Sequence, residues 1–344
     1  MAGDYNLFIG SEAGRNNTTG YHNVFLGQGA GKDNDAGYEN VIIGSNAGLS
    51  NNDNWNVFIG TAAGYQHVSG ASNVFVGYRA GFVDAAGSGN TYVGSLSGSY
   101  STGSNNSFFG SASGYNNTTG LQNSVYGYNA GRNNTTGSFN TFYGNSAGYE
   151  NTKGNNNTFI GYQSGYSNKS TDGIEASGNT YVGFYAGKFN ISGKNSVFLG
   201  LLAGRYETGS DKLYIDNSAT ASPLIWGDFA ANKIRINGTL NISDLYILDE
   251  ETMAPADGST IAPTKSNVIL NPAGPVTLNA ITPIANGISA GQVLILRGAS
   301  DSNTVTINSA GNVALNANLT LGNLDTLMII WSGTHWVQVS YSNN

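Results

Sequence analysis

Two neighbouring apolar positions recur along residues 1–205, at intervals of 16 or 17 residues and one of 22. Each pair, such as Phe8-Ile9, directly precedes a glycine, and these twelve glycines are Gly10, Gly27, Gly44, Gly60, Gly77, Gly94, Gly110, Gly127, Gly144, Gly161, Gly183 and Gly200. Adjacent residues of a strand point to opposite faces, so two consecutive apolar columns predict a strand covered on both faces. Because so short a coil cannot cover both faces itself, we expect neighbouring chains to cover the second face, most simply in a ring of three.

The rest of each repeat is polar and rich in turn residues. A second glycine follows four residues after the first and is always preceded by alanine or serine, and eleven repeats carry asparagine four residues before the first glycine. The Asn-Asn-Thr-Thr-Gly segments at 16–20, 116–120 and 133–137 are predicted to be outer turns. Short apolar runs between turn residues are typical of strands, and no repeat has helical periodicity. The sequence therefore predicts an all-β chain with a twelve-repeat parallel β-solenoid shaft over residues 1–205.

Composition changes near residue 206, since all six prolines lie beyond the repeats. Residues 206–247 are predicted to form short strands in a transition segment. Residues 248–275, with four prolines and an acidic run, predict a linker. Residues 276–344 predict a β-sandwich tip, in which three copies are expected to pack together. The strands predicted there are 293–296, 304–307, 319–321, 327–331 and 336–341.

The repeat pattern Asn-x-Val-Phe-Leu-Gly-x-x-Ala-Gly resembles the β-roll heads of trimeric autotransporter adhesins. It resembles more closely the shafts of phage and phage-like tail fibres, including those of contractile injection systems. The segments 211–217 and 222–229 are similar to the transition that such fibres place before a C-terminal module. The ending Gly-Thr-His-Trp-Val-Gln-Val-Ser is similar to terminal strands of a fibre tip. The resemblance implies a homotrimer in a virion or extracellular particle, joined to other particle or fibre proteins.

Charge and composition argue against several partners. The formal net charge is -7, and the 14 basic residues are scattered singly, so we expect no nucleic-acid partner. No apolar run approaches the ~18 residues of a membrane helix, so no membrane insertion is expected. There is no cysteine, which excludes disulfides and thiolate-metal sites.

The sequence contains no recognisable catalytic or metal-binding motif. The three histidines, His22, His67 and His335, lie far apart in the sequence, and the repeat carboxylates do not recur in one column. Asp33-Asn34-Asp35 matches the first half of a calcium loop, but the closing glutamate is missing, so a solvated turn is favoured. We therefore expect no catalytic residue, no metal, no cofactor and no enzymatic activity.

A column of aromatic and basic residues occurs five positions after the first glycines. We call it the surface column; it comprises Arg15, Lys32, Tyr65, Phe82, Tyr115, Arg132, Tyr149, Tyr166, Lys188 and Arg205. Rows of rings and arginines can hold sugars, because rings cover the apolar faces of sugars while polar neighbours bond to hydroxyls. Of these residues, Arg15, Tyr65, Tyr115, Arg132, Tyr149 and Tyr166 are the candidate binding residues. The alternative, which the sequence favours, is stacking that only stabilises coil on coil.

The tip offers a second set of candidate residues. Trp331 shares a face with Leu327 and Ile329 and is expected in the core. Trp336, His335 and Tyr341 gather near one hairpin and are candidates for receptor contact. Arg297 and Asp301, which flank the loop 298–300, form another candidate pair.

These observations predict a structural fibre that binds a bacterial cell-surface glycan or other outer-membrane receptor without chemistry. A polysaccharide depolymerase spike on the same scaffold is one alternative, since paired carboxylates can arise in such folds. A bacterial trimeric surface adhesin is the other, and it would need a leader and a C-terminal membrane barrel.

Overall fold

A computed structural model describes residues 3–170, 176–243 and 247–344. The chain divides into two compact units, Met1–Leu240 and Asn241–Asn344. All of the named elements are β-strands, as predicted. Within these described ranges, no helix is long and apolar enough to cross a membrane.

Each of the twelve repeats contributes one three-residue strand to the first unit. They are β1 (Leu7–Ile9), β2 (Val24–Leu26), β3 (Val41–Ile43), β4 (Val57–Ile59), β5 (Val74–Val76), β6 (Thr91–Val93), β7 (Ser107–Phe109), β8 (Ser124–Tyr126), β9 (Thr141–Tyr143), β10 (Thr158–Ile160), β11 (Thr180–Val182) and β12 (Val197–Leu199). Successive strands pair in parallel, so that Phe8 aligns with Phe25 and Phe25 with Ile42. The predicted parallel solenoid is confirmed.

Three further strands extend this sheet. They are β13 (Lys212–Ile215), β14 (Ile225–Asp228) and β15 (Lys233–Ile236). β13 continues the parallel stack from β12, whereas β14 and β15 are added antiparallel. The result is one sheet of 15 strands.

An aromatic column fills the interior of the solenoid. The middle residue of each strand from β2 to β12 is at most 1% exposed. Stacked neighbours such as Phe8 and Phe25 have ring centroids 4.8 Å apart and lie 8° from parallel. The second glycine of each repeat makes room for this ring, since a Cβ at Gly31 would lie 2.6 Å from the Phe25 ring. The first glycines have φ between 118° and 140°, which only glycine adopts readily.

A ladder of buried asparagines runs beside the aromatic column. We call it the first ladder; it comprises the asparagines four residues before the first glycines, which are at most 1% exposed from Asn23 to Asn179. In a typical step, the Asn140 backbone N–H and Nδ2 each donate to Oδ1 of Asn123 over 3.0 Å. Nδ2 of Asn123 donates to the Gly137 carbonyl over 2.9 Å. Each asparagine therefore ties neighbouring coils together and satisfies backbone groups that are buried from water.

A second ladder occupies the position seven residues after each first glycine. Nδ2 of Asn134 donates to Asn117 Oδ1 and to the Gly137 carbonyl, both over 2.8 Å. Asn117 and Asn134 belong to the Asn-Asn-Thr-Thr-Gly segments that were expected to lie on the outside, yet both are buried. Their threonines are mostly exposed, so only part of each segment is an outer turn. The amide turns inward because it can bond along the column to the next coil.

The residues on either side of each aromatic face outward from the sheet. Leu26, Ile43 and Val76 are half-buried, and Ile59 is 36% exposed. The two apolar columns therefore separate within one chain, one inside and one on this outward face. The neighbouring chains of a ring of three, which were expected to cover this face, remain a prediction.

The described residues of the second unit form nine strands. They are β16 (Glu250–Met253), β17 (Asn267–Leu270), β18 (Val276–Leu278), β19 (Val293–Gly298), β20 (Val305–Ile307), β21 (Val313–Ala314), β22 (Leu319–Leu321), β23 (Thr326–Trp331) and β24 (Trp336–Ser342). One sheet has the order β16-β17-β19-β23-β24-β21, and the other has the order β18-β20-β22. Both sheets contribute to one core, in which Leu270, Leu296, Val305 and Leu321 are fully buried. This is the predicted β-sandwich.

The segment 248–275 differs from the linker that its prolines suggested. β16 and β17 lie within it and pair in parallel with each other, and β17 pairs with β19. Val268 and Leu270 alternate inward and are fully buried. The prolines flank these strands rather than interrupting them, which is compatible with a sheet.

Replacing a first-ladder residue should destabilise the solenoid more than replacing an asparagine on its surface. Asn123→Ala leaves the Asn140 N–H buried without a partner and removes one of the two amide groups that donate to the Gly137 carbonyl, which should lower the free energy of unfolding by about 1–3 kcal/mol. Asn116→Ala is the matched control, because Asn116 is only partly buried and its Nδ2 bonds to Asn133 Oδ1. Urea unfolding followed by circular dichroism measures both, and equal losses would contradict the assigned role of the ladder.

Candidate functional site

The candidate residues of the second unit lie at opposite ends of its larger sheet. Arg297 pairs with Thr326 at the beginning of β23, whereas His335 follows the end of β23 at Trp331. A six-residue strand separates the two places by roughly 16 Å at ~3.3 Å per residue. The structure therefore does not bring the Arg297–Asp301 pair together with the His335 turn. Tyr341 was expected near His335, but it pairs with Leu327 and lies at the Arg297 end of the sheet.

Trp336 was predicted to contact a receptor, but it is a core residue. Its side chain is 2% exposed, and its indole Nε1 donates to the Ala285 carbonyl over 2.9 Å. Trp336 is paired in register with Trp331, and their ring centroids lie 5.4 Å apart. This register places both rings on the inner face, which confirms the expectation for Trp331 and excludes Trp336 as an open contact.

The other candidates of the second unit are partly or fully exposed. His335 is exposed, and its Nδ1 lies 3.0 Å from Thr334 Oγ1. The Tyr341 hydroxyl donates to the Thr320 carbonyl over 2.9 Å, and desolvation with the nearby Asp325 charge raises the pKa of Tyr341. Arg297 pairs with Glu250 over 3.0 Å. The Asp301 carboxylate accepts from the Asn323 N–H over 2.7 Å.

The surface column stacks along the solenoid. Ring centroids are 5.1 Å apart for Tyr65 and Phe82, and 4.9 Å apart for Tyr149 and Tyr166. The Arg132 guanidinium lies 4.9 Å from the centre of the Tyr115 ring. This is the stacking between coils that the column's spacing suggested, and it holds a row of half-buried rings and cations in fixed positions.

The two ends of the surface column differ in charge. At the first end, Glu12 pairs with Arg15 over 3.1 Å and with Lys32 over 2.6 Å. The hydrogen bond and charge of Lys32 hold the pKa of Glu12 below its usual value, and Arg15 adds to this. At the other end, Lys188 and Arg205 form no ion pair with a carboxylate among the described residues.

Aromatic residues outside the surface column surround Lys188 and Arg205. The Lys188 Nζ lies 4.0 Å from the Tyr185 ring centre, and the Arg205 Cζ lies 5.1 Å from that of Tyr206. Sequence analysis missed Tyr185, Phe189 and Tyr206 because they occupy other columns. The clustering of four aromatic and three basic residues within 185–206 was the signal that could have identified them.

The turns of the solenoid carry a polar groove of about 470 Å³. Its lining consists of Asn116, Thr118, Asn133, Thr135, Glu150, Thr152 and Lys169. Lys169 and Glu150 face each other at 3.8 Å across an exposed part of this groove. The groove repeats hydroxyl and amide groups from coil to coil, which suits hydrogen bonding to a polymer that runs along the solenoid.

The calcium-loop-like segment does not gather its oxygens around one point. Asp33 accepts from Asn16 Nδ2 over 2.8 Å, Asp35 bonds to the Thr18 hydroxyl, and Asn34 is buried. Among the residues that the structure describes, no three histidine or acidic side chains form a group that could hold a metal ion.

Two fully buried titratable residues replace asparagine in the second ladder. The His67 ring nitrogens lie 2.8 Å from the Asp84 carbonyl and 2.7 Å from the Gly70 carbonyl. Burial lowers the pKa of His67, although both carbonyls oppose this. Asp84 is fully buried, and burial raises its pKa to about 7 although the Gly87 N–H bonds to it. Both side chains are enclosed, so they belong to the interior and not to a site open to substrate.

Comparison with known proteins finds a family match for one part of the chain. Residues 251–337 match the family model described as "Phage depolymerase C-terminal beta sandwich domain". The matched residues include most of β16, all of β17 to β23 and the first two residues of β24. No curated protein and no solved structure matches the chain. A solenoid followed by this domain fits a phage tail-spike-like protein.

Replacing the buried acid should stabilise the chain above neutral pH. Because Asp84 has a raised folded pKa, the folded state binds the proton more tightly and wild-type stability falls as pH rises from about 4 to about 7. Asp84→Asn removes this loss and should raise the free energy of unfolding by no more than about 4 kcal/mol at pH 8. Asn190 shows how an amide fits, since its Oδ1 accepts from Gly193 N–H and its Nδ2 donates to the Gly209 carbonyl.

Thermal unfolding of wild type and Asp84→Asn at pH 4.5 and pH 8 measures the effect. The gain should be larger at pH 8 than at pH 4.5. Asp33→Asn removes an exposed carboxylate and controls for net charge. A gain that is the same at both pH values would show that Asp84 does not titrate in this range.

Proposed function

We propose that the chain is a structural and receptor-binding part of a tail fibre or spike of a phage or phage-like particle. In this proposal it holds a bacterial cell-surface glycan, or another outer-membrane receptor, without altering it chemically. The proposal rests on one observation: the same chain contains a twelve-repeat solenoid and a β-sandwich that matches the phage depolymerase C-terminal domain. Contractile injection particles use fibres of the same kind and fall within the proposal.

A homotrimer is part of the proposal. The outward face of the solenoid carries two columns of half-exposed side chains, which are aliphatic in β1–β5. Contiguous apolar surface of this extent is uncommon on isolated chains and typical of interfaces. A threefold assembly would bring three such faces together around one axis.

Adhesion is favoured over hydrolysis because several of the described solenoid carboxylates already have partners. Glu12 pairs with two cations, Glu39 accepts from the Trp55 indole over 2.8 Å, and Asp53 accepts from Gly70 N–H over 2.9 Å. An acid–base pair in a glycosidase needs two carboxylates directed at one bond. Stacked rings and hydroxyl-lined grooves instead suit the binding of sugars.

Weak single sites would be sufficient for such a fibre. Three linked copies raise the effective concentration of each site and can gain ~10² to 10⁴ in avidity without a new contact. A trimer would thus convert shallow surface sites into firm attachment to a cell.

A polysaccharide depolymerase is the second candidate function. The matched family model is named for phage depolymerases, and the β-sandwich it describes is present in this chain. This alternative uses the same scaffold and the same class of ligand, and it differs in that a glycosidic bond is broken.

The trimer should depend on the outward face of the solenoid. Ile43→Glu combined with Ile59→Glu places six charges in the proposed threefold interface and should give monomers, because a buried unpaired carboxylate is costly. Thr61→Glu combined with Ser95→Glu adds the same charge at exposed positions outside the strands and should leave the trimer intact. Native mass spectrometry distinguishes the two, and a monomeric wild-type chain would refute the assembly.

Glycan binding without cleavage is the test of the function itself. The full chain should bind members of a bacterial glycan array, and each bound glycan should keep its length after prolonged incubation. Reducing-end assays and size-exclusion chromatography measure cleavage. New reducing ends would establish the depolymerase alternative, and a chain that binds no glycan and no bacterial cells would refute both functions.

A further inference from the structure

Two cations stand next to each other at the last two coils of the surface column. Lys188 and Arg205 lie at equivalent positions of neighbouring coils and share the ring of Tyr185, with centroid distances of 4.0 Å and 5.0 Å. The Phe189 ring is also shared, at 5.2 Å from Lys188 Nζ and 5.6 Å from Arg205 Cζ. Aromatic packing therefore holds two like charges side by side.

The charge of this pair is not compensated by the described residues. Neither cation forms a salt bridge there, and Nε of Arg205 is buried without a hydrogen-bond partner. Glu207 is the nearest carboxylate in sequence, but it accepts from the Tyr214 hydroxyl over 2.6 Å and from Gly209 N–H over 2.7 Å. Burial and the Arg205 charge lower the pKa of Lys188.

Surface rings are available beside the cations. Tyr206 is 61% exposed and Phe189 is 36% exposed, and their stacked rings have centroids 5.6 Å apart. Next to Arg205 lies a cleft of about 240 Å³, lined by Tyr206, Tyr214, Thr220 and also Glu207, whose carboxylate already accepts from the Tyr214 hydroxyl and the Gly209 N–H. Positive charge, exposed rings and a concave surface thus meet at one place.

We propose that Lys188 and Arg205, with Tyr206 and Phe189, form a subsite for an acidic saccharide that carries a carboxylate, such as a uronic acid. A guanidinium binds a carboxylate through paired hydrogen bonds, and an aromatic ring covers the apolar face of a pyranose. The inference rests on the proposed function and narrows it, because it names the charge of the glycan and its place on the solenoid.

An acidic sugar fits this site better than a nucleic acid. A phosphate backbone is held by a row of many cations, whereas this site has two within a chain of net charge -7. Two cations set among exposed rings match one carboxylate on a ring-shaped ligand.

The test compares acidic hexasaccharides with their carboxyl-reduced forms. Immobilised hyaluronan, alginate and polygalacturonate hexamers are the probes, and the full chain is the analyte in biolayer interferometry. At least one acidic hexamer should bind, its reduced form should bind about tenfold more weakly or not at all, and salt should weaken the binding. Lys188→Gln with Arg205→Gln should cause a loss of about tenfold or more.

The matched control is Lys153→Gln with Lys194→Gln, which removes the same charge from exposed positions elsewhere on the solenoid. It should keep wild-type affinity, and circular dichroism should be unchanged for both double variants. Equal binding of acidic and reduced hexamers, no binding of any acidic hexamer, or equal losses in both variants would overturn the inference. Displacement by millimolar inorganic phosphate without binding of any hexamer would mark a general anion site, which also overturns it. Array binding to neutral glycans would then still support the proposed function.

Discussion

The hydrogen bonds of buried asparagine are the constraint on which the solenoid depends. A coil of 16 or 17 residues has only three in a strand, so most of its backbone polar groups need partners elsewhere. Backbone–backbone bonds between coils supply many of these partners. The first ladder supplies two more in a typical coil, because its side chain accepts from the N–H of the equivalent residue in the next coil and donates to a backbone carbonyl, as Asn123 does with Asn140 and Gly137. The stacked aromatic rings fill the space between these polar columns. Hydrophobic burial alone would leave those amides and carbonyls unpaired at a cost that recurs in every coil.

Periodicity made the architecture of the first unit predictable. The strand, the glycines and the apolar columns can be recognised in the sequence because each must occur in every coil. All twelve strands lie where the apolar columns predicted them. The ladders were visible in the sequence but not interpreted, since asparagine is also a common residue of turns. Asn117 and Asn134 show the difficulty: the same Asn-Asn-Thr-Thr-Gly segment supplies one buried amide and a mostly exposed turn. Whether an asparagine is buried in a ladder or exposed in a turn depends on its alignment with the next coil.

The second unit lacks a repeat. There the sequence predicted the positions of single strands correctly, but not the contacts between strands. The strands β19, β20, β22, β23 and β24 were anticipated from alternation. Trp336 appeared exposed because it follows a turn, but its burial depends on pairing with Trp331 across the hairpin. β16 and β17 were hidden by flanking prolines, and their place in the sheet is fixed by β19, which follows more than twenty residues later. Long-range register is the information that local patterns do not contain.

A solenoid with so uniform an interior allows its surface to change independently. The interior columns repeat because each residue bonds to its equivalent in the next coil, whereas the surface column varies from Arg15 to Tyr65 to Lys188 without altering the backbone. Its two ends show the consequence: Glu12 neutralises the cations at one, and no described carboxylate pairs with Lys188 or Arg205 at the other. Two like charges side by side repel each other, although each packs against an aromatic ring. Their adjacency without a described carboxylate is therefore better explained by a ligand than by the fold.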